Sequence, residues 1–256
     1  MGDDQARVAT TFLAVAAALR APDALDRANA VRALGILGQA VPPNRERGND
    51  RIQTTLLAFL RHWCEISSAS SGQSHRPRKP VPADVAAAAA ELRCWPADPQ
   101  GLTELDLSNL DLSYTDLRYT ELRNASLERS LLVGARLDKA QMRGTQMRNA
   151  DLHEASLLGA NLIEADLFSA NLSGTNLSKA YLSDARLRET NLERANLTGA
   201  VLAGADLEYA NLERADLTGV DLTDVRLGGA QLSKTQGLPD GYDPGEPQRK
   251  RITYHQ

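Results

Sequence analysis

The sequence predicts a solenoid that follows a small helical domain, and three observations carry this reading. Leucine or methionine occupies every fifth position from 107 to 232, and a small residue precedes each of these by two places. Over residues 1–98, by contrast, apolar residues recur at helical spacing between breaks rich in Pro, Gly and Ser.

The five-residue period excludes the ordinary elements. In "ANLERADLTGVDLTDVRL" (210–227) leucine stands at 212, 217, 222 and 227. At about 100° per residue an α-helix would scatter these side chains over its whole surface. In a flat strand an odd step sends successive leucines to opposite faces. What remains is a chain that turns a corner every five residues, so that each short side points one leucine at a common axis. The positions number 26, of which 24 are Leu and two are Met142 and Met147. The residue two places earlier is Ala in 16 of the 26 and otherwise Thr, Ser, Val or Leu, as expected of a second inward position with little room.

Ahead of the repeats, residues 1–98 read as helices. The first spans about 4–20 and ends at Pro22; the second starts at the capping Asp23 with Leu25, Ala28, Val31, Leu34 and Leu37 on one stripe. A third follows Asn49-Asp50, and an alanine-rich helix runs over 83–93 after the loop "SSASSGQSHRPRKPVP" (67–82). An open solenoid end exposes leucines and unpaired backbone groups, so the region is expected to act as a cap or adaptor. The expected domains are therefore 1–98, helical; 99–238, repeats; and 239–256, a tail, since the stretch from Gly237, "GLPDGYDPGEPQRKRITYHQ", holds three prolines and three glycines that argue against order.

The motif A-[D/N]-L-x-x, as in "ANLIEADLFSANLSGTNL" (160–177), resembles the pentapeptide-repeat family. The resemblance implies a mainly β fold, a right-handed quadrilateral β-helix with four repeats per coil and about six and a half coils. The segment 27–63 also resembles a HEAT-like helical module found ahead of the repeats in some bacterial members. Because members share a scaffold and differ in partners, the likeness implies fold more strongly than function.

Little in the chain points to chemistry. The net charge of −4 leaves no basic footprint for direct nucleic-acid binding. Cys64 and Cys94 lack CxxC partners and read as free thiols. The acidic start "MGDDQARV" does not resemble a signal peptide and "FLAVAAAL" (12–19) is too short to span a bilayer, so a cytoplasmic protein with no membrane association is expected. His62, His75, His153 and His255 are isolated, and no Ser/His/Asp set, phosphate loop or metal-ligand cluster can be assembled. No enzyme, cofactor, metal or small-molecule substrate is expected. The polar residues around each leucine read as a solvated surface with ordinary carboxylate pKa values, and "RPRKP" (76–80) and "RKR" (249–251) read as solvated loop and tail.

Two functions are left: a non-catalytic scaffold that binds another protein, and a DNA mimic that binds a type II topoisomerase such as gyrase, as some pentapeptide-repeat proteins do. Charge favours the scaffold. The repeats hold 19 acids and 14 bases, whereas B-DNA of the expected rod length, about 31 Å at strand spacing, carries on the order of 18 negative charges. Only the second half of the repeats, 150–234, is acidic, with 13 acids and seven bases. If residues 20 apart stack, one side of that half presents Asn161, Ile163, Glu164, Tyr181, Asp184, Val201, Asp221 and Asp224 with no base among them. That side is the expected docking face, with Leu158 and Phe168 widening it from adjacent sides.

Overall fold

The chain divides into two units, Met1–Ala97 and Asp98–Gln256; the computed structural model describes residues 105–238, all in the second. The expected helical domain and its capping role, both cysteines, the two basic clusters and the tail from 239 lie outside the described residues. Within them the backbone consists of single parallel bridges alternating with tight turns, and it forms a β-solenoid.

Bridges join residues 20 apart, from Asp106–Ser126 to Asp216–Gln236. The bonds that make them follow one rule. The Leu107 N–H donates to the Ser126 carbonyl at 2.7 Å, the Ser126 N–H donates to Leu105 at 2.9 Å, and the Asn109 N–H donates to Glu128 at 2.9 Å. A fourth N–H in most repeats closes the corner locally, as from Ala125 to the Leu122 carbonyl at 3.0 Å. Four of five backbone donors are thus paired within the chain before any side chain is considered.

Turning every five residues requires a left-handed residue at each corner. All 26 residues two places past an inward Leu or Met have positive φ, between 53° and 73°, and only eight of them are glycine. A non-glycine residue in this conformation costs about 1 kcal/mol. Each corner also delivers one leucine to the axis, and full burial of a leucine stabilises by about 1.5–3 kcal/mol, so the gain exceeds the strain.

Inside, no member of the 26-residue row is more than 6% exposed. The small second row is buried beside it except at Leu105 and Val225, which are half-buried, and its polar members bond their hydroxyls rather than leave them orphaned. Thr115 and Thr120 donate to the Leu112 and Leu117 carbonyls at 2.6 and 2.8 Å, and Thr175 reaches Leu152 at 2.9 Å. The row stops at Gly237, which stands where a further leucine would fall. Its φ is 77°, and a side chain there would collide with the Leu217–Thr218 backbone.

Candidate functional site

The fifth backbone donor in each repeat, on the residue after the inward leucine, points outward, and the side chain two places before it decides its fate. Asp or Asn fills that place in 14 repeats, and in all 14 its Oδ1 accepts this N–H, from Asp106–Ser108 at 3.0 Å to Asp221–Thr223 at 2.9 Å. These residues were expected only to face water; they are instead the local brace of each corner, an Asx-turn that a longer Glu or Gln cannot close in the same way. Four of them also stack. Asn171 donates to Asp151 at 2.8 Å, Asn191 to Asn171 at 3.3 Å and Asn211 to Asn191 at 3.2 Å, forming a ladder along one face.

The expected docking residues fall on the face of Leu122, Met142, Leu162, Leu182, Leu202 and Leu222. Bridges join Asn161 to Tyr181 and Tyr181 to Val201, so these three form one column. Tyr181 is 50% and Val201 42% exposed, Ile163 is half-buried at the following corner, and Leu158 is exposed at the preceding one. Asn161 braces its own corner through Ile163 N–H at 3.3 Å and donates to Gln141 Oε1 at 3.2 Å.

Three details differ from the sequence reading. Glu164 is not uncompensated: Arg143, from the coil below, donates to it at 2.7 Å. Asp221 does not continue the column, because no bridge joins it to Val201. Phe168 does not widen the face, because it is half-buried with the Arg148 guanidinium 5.0 Å from its ring centre. Asp184 and Asp224 are exposed, each at a left-handed corner, and the Asp184 carboxylate leans over Gly204, where a side chain would collide with it.

The electrostatics also depart from a uniformly solvated surface. Asp166 is only 5% exposed, with Arg148 and Arg186 at 3.9 and 3.7 Å. On the same face Arg226 reaches Asp206 at 3.3 Å and Arg188 reaches Glu208 at 2.7 Å while lying 4.8 Å over the Tyr209 ring. Charges on this side therefore satisfy each other. The Thr218 hydroxyl and then its amide hold Asp216 below the usual carboxylate range, and the Thr223 hydroxyl and amide do the same for Asp221. His153 is tied to the next coil, with Nδ1 3.0 Å from the Ser173 carbonyl and 2.8 Å from its Oγ. Among the described residues no group of three or more His, Cys, Asp or Glu could hold a metal ion.

Twenty-residue register, left-handed corners and a doubly filled axis define a β-solenoid built of five-residue units. The pentapeptide-repeat model matches in eight copies over residues 102–235, more than half of the chain. The chain belongs to the pentapeptide-repeat family.

Similar solved structures include a pentapeptide repeat protein of the Arabidopsis thaliana thylakoid lumen, 30% identical over 48% of this chain and 68% of that one, with a TM-score of 0.31. A trypsin-treated form of QnrB1, a plasmid-mediated fluoroquinolone resistance protein, is 22% identical over 51% and 76% of the two chains, with a TM-score of 0.37. Rfr23 of the cyanobacterium Cyanothece 51142 is 37% identical over 38% and 63%, with a TM-score of 0.22. No curated protein matches the chain.

Proposed function

We propose that the repeats are a non-catalytic scaffold that docks another protein on the Leu122 face, over residues 161–204. One observation carries this reading: Tyr181 and Val201, both exposed, stand on adjacent rungs of a column with no base on that face from 161 to 224. Single exposed apolar side chains are ordinary, but a flat pair flanked by Ile163, Leu158 and acidic corners fits a partner with an apolar centre and a basic rim. We read the coil as right-handed, as the family resemblance implies; 26 corners at four per coil make six and a half coils.

The test is the triple variant Ile163→Ser, Tyr181→Ser, Val201→Ser in a pull-down with the full chain. None of the three points to the axis, so melting should stay close to that of the unaltered chain while partner capture falls at least about tenfold, the equivalent of 1.4 kcal/mol. Full capture by the folded variant would reject this face. The topoisomerase-mimic reading, favoured by the acidity of the second half, stands second. It predicts inhibition or protection in a gyrase supercoiling assay, which the scaffold reading does not.

A further inference from the structure

The ladder of the Leu122 face is missing one link. At each earlier step three bonds join successive coils there: the Leu182 N–H donates to Val201 at 2.7 Å, the Asp184 N–H to Ala203 at 2.9 Å and the Val201 N–H to Ala180 at 2.9 Å. One coil later the equivalent bonds from Leu202 to Asp221, from Gly204 to Thr223 and from Asp221 to Ala200 are all absent, and so is the bridge. The faces on either side stay closed at this level, since Leu197 donates to Asp216 at 2.8 Å and Leu207 to Arg226 at 2.8 Å. The gap is therefore local to one side of one coil and is not general fraying toward the chain end.

The inward residues that bracket the open side differ from the rest. Leu222 lies between Val220 and Val225, the only valines in the small inward row. Val220 is 7% exposed and Val225 half-buried, whereas the alanines from 125 to 195 in that row are at most 1% exposed. Size alone does not explain the opening, because Thr190 stands between Leu187 and Leu192 with the ladder to the preceding coil intact on both sides: Leu167 donates to Arg186 at 2.8 Å and Leu172 to Asn191 at 2.7 Å. Threonine has the shape of valine, but its branch is a hydroxyl that bonds the carbonyl three residues back at 2.6–2.8 Å. A methyl group cannot approach an oxygen that closely, so valine must stand off where threonine seats itself.

We infer that Val220 and Val225 hold the Leu122 face open between Val201 and Asp221, giving the fold a built-in point at which the coil of Leu222 parts from the coil before it. Unpaired N–H groups at Leu202, Gly204 and Asp221 mark the opening, and local unfolding begins where such bonds are fewest. The inference is independent of docking on the same face, since it concerns backbone bonds and inward side chains only.

Amide hydrogen exchange on the full chain tests it, with residues one coil earlier as internal references. Leu202 and Gly204 should exchange at least about 100-fold faster than Leu182 and Asp184. The double variant Val220→Thr, Val225→Thr should slow them to within about tenfold of those references. Val220→Ala with Val225→Ala, which restores the commonest residue of the row, should do the same and stands in if the threonine variant melts early by circular dichroism. Equal protection at Leu202 and Leu182 in the unaltered chain, or fast exchange that persists in a folded variant, would overturn the inference.

Discussion

Between residues 121 and 146 six successive repeats lack Asp or Asn before the inward residue, whereas five of the six from 151 to 176 carry one. The insides of the two stretches are the same. Leu122, Met142, Leu162 and Leu177 are all at most 1% exposed, and the ladder bond from Leu122 to Gln141, at 2.8 Å, matches that from Leu162 to Tyr181, at 2.7 Å. Only the outward amide differs. In the second stretch an Asx side chain accepts it; in the first, Gln146 turns away and donates to the Gly144 carbonyl at 2.9 Å. The inward row and the ladder therefore define the fold, and the Asx braces tune it, because an outward amide without a brace still faces solvent.

Three changes sharpen that contrast. The largest effect should come from the shared interior: Leu177→Ala should cost about 2–5 kcal/mol. Leu177→Asp should abolish cooperative folding, since an ionised carboxylate on this axis has no partner. Leu137→Asp in the Asx-poor stretch should be as damaging. Urea unfolding followed by circular dichroism measures both, and a wild-type melt for either variant would show that the axis is misassigned.

A middle-sized effect should separate the two stretches. Asn171→Ala removes a corner brace and two of the three bonds of the Asn ladder and should cost about 1–2 kcal/mol, whereas Gln141→Ala should stay within about 0.5 kcal/mol. Equal costs at the two sites would mean that the braces add nothing to the ladder.

The smallest effect concerns acid. Because Asp216 is held below its ordinary pKa by Thr218, its contribution is fully present above the unfolded value of about 3.9 and is lost as pH falls through the lower folded value. Asp216→Asn keeps the Oδ1 acceptor but cannot titrate. The unaltered chain should hold a small margin over this variant at pH 7, seen in melting temperature, and lose it below about pH 4. A margin that is independent of pH would assign the effect to geometry rather than charge.

How far the sequence discloses this arrangement depends on the distance over which each feature is determined. The inward rows and the corners repeat locally, so the period alone exposes them. The brace was also present in the letters, because Asp or Asn fills its position 14 times and Glu or Gln only four. That preference for short side chains was the available sign that the position serves the backbone and not merely the solvent. Contacts between coils were harder to foresee. Arg143 meets Glu164 across 21 residues, linking two outward positions that a column-by-column reading treats separately. The opening at Val201 depends on how two valines fit against neighbouring backbone, which composition does not express. The expected helical domain falls outside the described residues.

The register also bears on how such a chain diverges. Four equal units per turn mean that a gene gaining or losing one unit leaves the inward row unbroken while carrying everything downstream a quarter turn around the axis. Loss of the unit Asp166–Ala170 would seat Tyr181 over Ser156 and Arg186 over Asn161, in place of the present Tyr181–Asn161 and Arg186–Asp166 bridges. A five-residue slip is thus silent to the interior and redraws every face at once, so lineages of this solenoid can exchange surfaces by recombination without passing through an unfolded ancestor.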